Sequence, residues 1–339
     1  MNRHLTLIRL LADGQFHSGE VIARHLGLSR VAIWKALRKS ANHYGLALES
    51  VRGRGYRLAA PLELLDSGRI RALLSPAGRA MLTRLDIHDQ IDSTNACLMR
   101  EAALGALAGT VCLAERQTAG RGRRGRPWIS PFGSNLYLSI LWRYPLAPAA
   151  LGGASLAIGA VVAGVLRRIE TDATGASALT LKWPNDLLWQ GCKLAGLLLE
   201  VAGESQGPSH LVMGLGVNLR MEPTQGQHID QPWTDLSQML SGHAINRNQL
   251  VAQLLDALLS ALDVYGRDGL EPFLAQWREF DALLGQPVRL RLGDQVIEGL
   301  HAGIANDGSL QLQTLAGLKR FQAGEVSLRT SDHRPEALA

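Results

Sequence analysis

Cysteine is scarce in this chain of 339 residues. The three cysteines, Cys97, Cys112 and Cys192, are odd in number, and none of them stands in a CxxC pair. The ten histidines are scattered without the spacing of metal ligands. We therefore expect neither a disulfide scaffold nor a zinc site, and the sparse cysteines favour a reducing compartment, the cytoplasm.

Long apolar runs and targeting signals are also missing. The first residues, MNRHLTLIRLLADGQ, lack the pattern of a secretory signal peptide because arginine interrupts their apolar run. We expect no stretch to reach the ~20 apolar residues of a membrane-spanning helix, and hence no membrane partner. A composition of 46% hydrophobic and 19% charged residues is typical of a folded protein, and the length predicts two or three domains.

The net charge of +5 is unevenly distributed. Residues 1–60 contain ten Lys/Arg and three Asp/Glu, whereas residues 61–339 contain 25 and 27. The whole basic excess therefore belongs to the N-terminal segment, which predicts a polyanion as the partner of that segment alone.

The same residues, 1–60, predict a winged helix-turn-helix. A first helix lies in LTLIRLLAD, Ser18 can cap a second helix, and Gly27 can end that helix in a left-handed conformation. Ser29 can cap a third helix, RVAIWKALRKS. The following ALESVRGRGYRL is typical of two strands joined by a glycine-rich, basic turn.

The third helix is expected to bury Val31, Trp34 and Leu37, which recur at helical spacing, and to expose its basic residues. A basic helix capped at its start favours DNA, with arginine and lysine on phosphates and the helix start near base edges. A winged helix used for protein contacts is the alternative. The residues expected to contact DNA are Ser29, Arg30, Lys35, Arg38, Lys39, Arg52 and Arg54.

After a linker around Pro61, strand-like and helical segments mix up to about residue 275. The predicted strands are TVCLAERQ, SNLYLSILW, LTLKWPNDLLW, LAGLLLEV and HLVMGLGVNL. The predicted helices are TNACLMREAAL, ASLAIGAVVAGVLRRI and NQLVAQLLDALLSALDVY.

The stretch GRGRRGRPW, residues 120–128, lies between the first two of these strands. An arginine-glycine stretch is often a disordered tail that touches RNA, but a connection held at both ends is not a tail. Glycine leaves backbone amides uncovered, and arginine adds forked donors, so the loop suits phosphate or carboxylate oxygens. It matches neither the Walker A loop nor the dinucleotide-binding fingerprint.

Two further polar sites follow. In KWPNDLLWQGCKLAG, Pro184 and Asn185 interrupt a strand after Lys182, and a Gln-Gly turn places Lys193 at the start of the next strand. In GLGVNL, residues 214–219, glycines permit a ligand to approach the backbone. A solvated turn lysine and a tight strand end are the respective structural alternatives.

The motifs also have a recognisable order. Along the chain stand DSTN at 92–95, Gln117 followed by AGRGRRGR, WISPFGSNLYLS, KWPND at 182–186, GCKLAG at 191–196 and GLGVN at 214–218. With the N-terminal winged helix and a C-terminal GEVSLR, they make nearly the whole chain similar to the bifunctional bacterial biotin protein ligases, which also act as biotin operon repressors.

The resemblance implies an α+β multidomain fold. We expect a winged helix-turn-helix at 1–60, a mixed α/β domain related to class II aminoacyl-tRNA synthetases at 66–280, and an SH3-like β-barrel at 285–330. The alternation in PVRLRLGDQVIEGL and the hairpin signal Asn306-Asp307-Gly308 support strands in the last segment.

The resemblance also implies a chemistry of two steps. The carboxylate of biotin attacks the α-phosphate of ATP to give biotinyl-5′-AMP and pyrophosphate, with Mg²⁺ as the expected metal. A lysine of the biotin carboxyl carrier protein of acetyl-CoA carboxylase then attacks the mixed anhydride. Operator DNA and, with the adenylate bound, a second copy of the chain are the other implied partners.

Site residues follow from the same resemblance. Lys193, Arg121 and Arg123 are implied as catalytic, and Asp186 as a Mg²⁺ contact. Arg329 is a weaker candidate, and Lys182 and Asn185 are expected to complete the site. Residues implied to bind biotin and the adenylate are Ser93, Thr94, Asn95, Gln117, Arg121, Gly122, Arg123, Trp128, Lys193, Gly196 and Asn218.

The chain departs from the family pattern at two positions. Thr118 stands where a second glutamine is expected, and Pro127 precedes the tryptophan and is expected to stiffen the loop. Two other functions stay open at this point: a DNA-binding biotin sensor without transfer activity, and a lipoate-type ligase. The presence of Arg121, Arg123 and Lys193 together weighs against a passive sensor.

Overall fold

A computed structural model describes residues 3–322 and 326–330. Its N-terminal unit has three helices followed by a two-stranded antiparallel hairpin, which confirms the predicted winged helix-turn-helix. The elements are α1 (Arg3–Leu10), α2 (Gly19–Leu26), α3 (Arg30–Tyr44), β1 (Leu48–Val51) and β2 (Gly55–Leu58).

The predicted helix caps are present. Ser18 Oγ accepts a hydrogen bond from Glu20 N at 3.3 Å, and Ser29 Oγ accepts one from Ala32 N at 3.2 Å. Gly27 ends α2 with φ of 63°, a left-handed conformation that suits a residue without a side chain. The two serine caps and the left-handed glycine therefore fix the turn between α2 and α3, and the sequence predicts all three.

The buried face of α3 is not the predicted one. Val31 is 64% exposed and Trp34 is 36% exposed, whereas Ile33 and Leu37 are fully buried and Tyr44 nearly so. The prediction was right for Leu37 and wrong for the other two. Apolar residues occur on two faces of α3, and the choice between them is made by packing against α1, which periodicity within α3 does not contain.

The central unit is a seven-stranded mixed sheet flanked by helices, as the resemblance implied. The strand order is β3-β4-β5-β9-β8-β7-β6, with β3 parallel to β4 and every other pair antiparallel. Its elements are α4 (Ser67–Leu73), α5 (Pro76–Met81), β3 (Arg84–His88), α6 (Thr94–Ala103), β4 (Thr110–Ala114), β5 (Asn135–Tyr144), α7 (Ala154–Thr174), β6 (Leu179–Lys182), β7 (Asp186–Trp189), β8 (Cys192–Gly203), β9 (Ser209–Asn218), α8 (Leu236–Met239), α9 (Arg247–Asp268) and α10 (Glu271–Glu279).

The two faces of this sheet have different roles. Leu138 and Ile140 of β5 point into the main hydrophobic core, which α7 and α9 cover. Their neighbour Leu141 belongs to a smaller core beneath α6, and Ser139 contacts α6 through Asn95. Successive side chains of a strand alternate between faces. One face of the sheet therefore packs in the main core, and the other carries both apolar and polar side chains beside α6.

The expectation about apolar runs was wrong for one segment. Pro148–Thr174, 27 residues that include α7, is long and apolar enough to cross a membrane by length and composition, and 67% of its most apolar window is buried inside the protein. It packs against α9, α10 and the sheet. A helix covered on most sides by other elements is apolar around most of its circumference, which accounts for this composition.

The C-terminal unit is a five-stranded antiparallel sheet in the order β13-β12-β11-β10-β14. The predicted hairpin at Asn306-Asp307-Gly308 connects β11 to β12, and Gly308 has φ of 81°. The Trp183 indole donates to Gly308 O at 3.1 Å and so ties this unit to the central sheet. Its strands are β10 (Pro287–Leu292), β11 (Gln295–Ile304), β12 (Leu310–Thr314), β13 (Gly317–Phe321) and β14 (Val326–Thr330).

Candidate active site

A cavity of about 800 Å³ opens beside α6, and chain segments distant in sequence converge on it. The first turn of α6, the glycine-arginine loop, the β7–β8 hairpin and the end of β9 all contribute. The predicted residues that line it are Ser93, Thr94, Asn95, Gln117, Arg121, Gly122, Arg123, Trp128, Lys182, Asn185, Asp186, Lys193, Gly196 and Asn218.

The start of α6 forms a polar cluster with Gln117. Gln117 Oε1 accepts from Thr94 N at 2.9 Å and lies 3.1 Å from Thr94 Oγ1, while its Nε2 donates to Ser130 Oγ at 3.2 Å. Ser93 caps α6 through its side chain, which accepts from a backbone amide of the first turn. The residues that begin α6, together with Gln117, thus present amide and hydroxyl groups to the cavity.

Asn95 is fixed from both sides of its amide group. Its Nδ2 donates to Glu200 Oε2 at 2.8 Å, and its Oδ1 accepts from Ser139 Oγ at 2.6 Å. The sequence did not single out Ser139, although a serine that is fully buried within the apolar strand β5 is a usable signal. A Cβ on Gly214 would lie 2.2 Å from Asn95 Oδ1, so only glycine fits there.

The glycine-arginine loop is a compact turn. Trp128 N donates to Gly120 O at 2.9 Å and Gly122 N donates to Arg126 O at 2.7 Å, so the loop closes on itself. Arg124 stands within it at φ of 59°, in the left-handed region that non-glycine residues seldom adopt. The loop is therefore an ordered connection between β4 and β5 and not a tail.

Two arginines of this loop reach across the cavity. Arg123 Nη1 donates to Asn185 Oδ1 at 3.2 Å, and Arg121 Nη2 lies 3.6 Å from Glu200 Oε1. Burial lowers the pKa of Arg123, and the charge of Arg124 adds to this, while Asp186 offsets part of it. A guanidinium that has lost hydration in this way gains from a bound anion.

Lys193 forms an ion pair with Asp186, with 2.7 Å between Nζ and Oδ1. Both side chains are largely buried, at 16% and 19% exposure, and the two atoms are in contact without the angles of a hydrogen bond. The β7–β8 hairpin brings them together. The Lys193 ammonium also lies 5.5 Å from the centre of the Trp128 ring, a cation–π distance.

Trp128 occupies space that two glycines leave open. A Cβ on Gly216 would lie 2.5 Å from the indole, and one on Gly196 would lie 3.3 Å from it. The indole Nε1 is buried and has no hydrogen-bond partner among the described residues. Gly196 and Gly216 therefore permit close approach of a large aromatic ring beside the cavity.

A loop that the sequence did not single out closes the other side. Lys193 N donates to Pro232 O at 2.9 Å and Thr234 N donates to Lys193 O at 3.0 Å. Asn218 Nδ2 donates to Thr234 O at 3.0 Å, so this predicted ligand residue holds the loop in place. Arg329 lies on β14, but its side chain is outside the described residues.

The residues that are predicted to contact DNA form an exposed surface. All seven are exposed to solvent on α3 and the β1–β2 turn. The Arg54 guanidinium lies 4.2 Å from the centre of the Phe16 ring, and that of Arg38 lies 5.8 Å from the Trp34 ring. These aromatic supports hold two positive charges on the outer side of the winged helix.

The winged helix contacts the segment that carries the glycine-arginine loop. Arg116, next to Gln117, donates from Nη1 to His43 O at 2.8 Å. Phe132, just past the loop, is buried in the hydrophobic core of the N-terminal unit. Both ends of the loop segment are thus attached to the unit that carries α3.

Comparison with known proteins identifies the family. The model of the biotin/lipoate A/B protein ligase family matches residues 88–218, that of the biotin protein ligase C-terminal domain matches 283–329, and that of an HTH domain matches 3–57. The bifunctional ligase/repressor BirA of Salmonella typhimurium is 42% identical over 329 residues, which cover 97% of this chain and 98% of the relative.

A second relative and a solved structure are also similar to the chain. The bifunctional ligase/repressor BirA of Bacillus subtilis is 31% identical over 94% of this chain and 95% of its own length. The structure of a biotin protein ligase from Aquifex aeolicus in complex with biotin and ATP is similar, with a TM-score of 0.61 and 30% identity over 74% of this chain and all of that one. The chain therefore belongs to the biotin/lipoate A/B protein ligase family and, within it, to the bifunctional ligase/repressors.

Proposed function

We propose that the chain activates biotin with ATP, transfers it to a lysine of the biotin carboxyl carrier protein of acetyl-CoA carboxylase, and represses biotin synthesis when the adenylate is bound. The observation that carries the proposal is the convergence of the family's motif residues on one cavity. Relatives named as ligase/repressors and a relative's complex with biotin and ATP support it. Both activities are proposed for the cytoplasm.

In the first step an oxygen of the biotin carboxylate attacks the α-phosphorus of ATP, and the bond to the bridging oxygen of pyrophosphate breaks. Two anions must approach each other, so positive charge and exclusion of water are required. Lys193, Arg121 and Arg123 supply three cations along the cavity. When substrates enter, Lys193 exchanges part of its contact with Asp186 for the reacting oxygens.

The buried polar cluster at the start of α6 is assigned to the ureido ring of biotin. A ureido group has one carbonyl acceptor and two N–H donors, so it needs partners of both kinds. Thr94, Asn95 and Gln117 provide hydroxyl, amide and carbonyl groups beside the first turn of α6. Trp128 is assigned to the adenine side of the site. Its indole N–H has no partner among the described residues and is available to donate to a ligand atom.

In the second step the amine of the carrier lysine attacks the carbonyl carbon of the mixed anhydride. The carbon–oxygen bond to phosphate breaks, AMP leaves, and the amine loses a proton. The glycine-arginine loop is proposed to cover the adenylate until the carrier arrives, since its guanidinium groups suit phosphate oxygens. This assigns the loop a small phosphorylated ligand and leaves DNA to α3.

A resident Mg²⁺ at Asp186 is not supported by the residues present. Its Oδ1 is already in contact with the Lys193 ammonium, and Mg²⁺ prefers an octahedral set of free oxygen ligands. Among the described residues, Asp186 belongs to no cluster of potential metal ligands.

Operator DNA is the proposed ligand of the winged helix. One winged helix buries little surface, so two copies on two half-sites are expected, with the adenylate favouring the dimer. The exposed basic residues of α3 and its wing give this binding its phosphate contacts.

A pyrophosphate exchange assay tests the enzymatic part. Labelled pyrophosphate should enter ATP in the presence of biotin, and lipoate in its place should give no exchange above background. Exchange with lipoate alone would establish the lipoate-type alternative. Binding of biotin without any exchange would establish the sensor without transfer activity.

A further inference from the structure

His88, Cys97 and Cys112 come together between α6 and the sheet, although they are spread over three elements of the chain. Their possible ligand atoms, one imidazole nitrogen and two sulfurs, all lie within 4.8 Å of one another. Cys97 and Cys112 are buried and His88 is half-buried at the end of β3. The absence of CxxC spacing argued against a zinc site, but such spacing says nothing about residues that the fold brings together from distant elements.

The register of the sheet explains the cluster. The strands β3 and β4 are parallel, with Asp86 opposite Cys112 and His88 opposite Ala114. Side chains two apart on a strand share a face, so His88 and Cys112 both point toward α6. Cys97 lies one turn into α6 and faces the same small core.

We propose that His88, Cys97 and Cys112 bind a thiophilic metal ion, with Zn²⁺ as the physiological class. Thiolate and imidazole are the ligands that Zn²⁺ prefers, at about 2.3 Å to sulfur and about 2.0–2.1 Å to nitrogen. In a tetrahedral site the ligand atoms are then roughly 3.5–3.8 Å apart. The ligand atoms of the cluster, which lie within 4.8 Å of one another, must come closer by about 1 Å to fit this geometry. Rotation of the side chains allows this change.

A carboxylate lies beside the cluster, outside the group of atoms that are within 4.8 Å of one another. Glu101, one turn after Cys97 on α6, has its Oε1 3.8 Å from the Cys97 sulfur. Its other oxygen, Oε2, accepts from Arg84, which is also paired with Asp86 at 2.7 Å. Partners of this kind behind a ligand fix its orientation, as is usual around metal sites.

The charges nearly balance. Two thiolates and a neutral imidazole leave a divalent cation with no net charge, and Arg84 is shared between the carboxylates of Glu101 and Asp86. A site whose charges largely cancel costs less to bury than an isolated ion. His88 and Glu101 lie at the half-exposed edge, which gives the ion and the two displaced protons a path to water.

Occupancy would tie α6 to the sheet. The same helix supplies Thr94 and Asn95 to the biotin cavity, so a bound ion braces the element that carries the proposed ureido contacts. We therefore expect the metal to raise the melting temperature of the whole protein, because it binds only the folded chain.

The test is a titration of the full-length protein, stripped of metal and kept reduced by a phosphine, with Co²⁺. One equivalent should give thiolate-to-cobalt charge-transfer absorption, and one equivalent of Zn²⁺ should abolish it. Cys97→Ser, Cys112→Ser and His88→Gln should each weaken binding at least tenfold. Cys192→Ser is the matched control. It removes the remaining cysteine, which lies on β8 outside the cluster, and should titrate like the parent.

Several results would overturn the proposal. They are absence of the charge-transfer band in the parent, loss of the band in Cys192→Ser, or unchanged affinity in His88→Gln. His88 is half-buried, so its variant is expected to fold even if substitution of the buried Cys112 impairs folding. Circular dichroism of each variant before titration separates lost binding from lost structure.

Discussion

The ring of Phe132 stacks on the ring of Tyr44, with 4.0 Å between centroids and 28° between planes. Tyr44 ends α3, the helix proposed to read DNA, and Phe132 follows the loop proposed to cover the adenylate. A stacked, buried aromatic pair therefore connects the two functional surfaces. We propose that movement of the loop segment on ligand binding is transmitted to α3 through this contact.

Phe132→Ala is expected to uncouple the two activities. Removing a buried phenyl ring typically costs about 3–5 kcal/mol, and here the loss falls on the core of the N-terminal unit. We expect that unit to melt separately, at a lower temperature, and the effect of adenylate on DNA binding to disappear. Pyrophosphate exchange should stay within a few-fold of the parent.

Calorimetry, exchange assays and gel shifts measure these three outcomes. Phe273→Ala, which removes a buried phenyl ring from α10 of the central unit, is the matched control. It should destabilise the central unit without selectively uncoupling ligand from DNA. A Phe132→Ala protein with normal ligand-dependent DNA binding would remove the stacked pair from the account.

Lys193→Ala should lower the rate of adenylate formation by a hundredfold or more. A donor aimed at developing charge typically contributes on the order of 2.7–4 kcal/mol to the transition state. Loss of the ammonium also removes the ion-pair partner of Asp186, so that this carboxylate repels the incoming anions more strongly. Single-turnover formation of biotinyl-AMP is the measurement, with Lys319→Ala, an exposed lysine of β13, as control. Near-parental rates would refute the assigned role.

Arg123→Gly should impair retention of the adenylate more than its synthesis. Its guanidinium bridges the loop to Asn185 and has lost hydration, so it is suited to hold the closed loop on a phosphate. We expect the mixed anhydride to escape and to acylate lysines of a bystander such as serum albumin.

Arg124→Gly is the control for this change. Arg124 is exposed and has positive φ, a conformation that glycine adopts without strain. That variant removes the same charge from the same loop, and bystander biotinylation should stay at the parental level. Equal leakage from both variants would show that loop charge in general, rather than the Arg123 contact, retains the adenylate.

Asp92 gives the protein a defined acid dependence of stability. Arg100 donates to its two oxygens at 2.7 and 3.1 Å, and this hydrogen bonding lowers the pKa of Asp92. Since the folded pKa is below the unfolded one, the stabilisation is complete above about pH 4 and is lost as pH falls through the folded pKa. Asp92→Asn should therefore melt below the parent at neutral pH, and the difference should shrink as the pH falls below about 4.

Arg100→Gln should lose the same pH-dependent increment, and the double variant should lose no more than either single one. Thermal melts of all four proteins between about pH 2 and pH 7 provide the comparison. Additive losses would show that the two side chains act independently.

The sequence contained the local features and most of the site. Caps such as Ser29, the β7–β8 turn that presents Lys193 and the hairpin at Gly308 each depend on a few adjacent residues. Ordered motifs also named the residues that line the cavity, because the chemistry of the family leaves a pattern in the chain. Their individual roles remain predictions.

Contacts between residues that are far apart in the sequence could not be predicted from it. Burial of Ile33 rather than Val31 depends on α1, and the stacking of Phe132 on Tyr44 depends on how two units meet. The cluster of His88 with two cysteines exists only because parallel strands and α6 align them. None of these contacts has a local periodicity or spacing that could have predicted it.

The central claim is that one ligand site controls both biotin transfer and DNA binding. The most direct measurement is a gel-shift titration of promoter DNA from the source organism's biotin-synthesis genes, with and without biotin plus ATP, for the full-length chain and a chain lacking residues 1–60. The full-length chain should bind more tightly with both ligands, and its affinity should fall steeply with salt as counterions are released. The shortened chain should retain pyrophosphate exchange and lose specific DNA binding. Ligand-independent affinity of the full chain, or specific binding by the shortened one, would contradict the account.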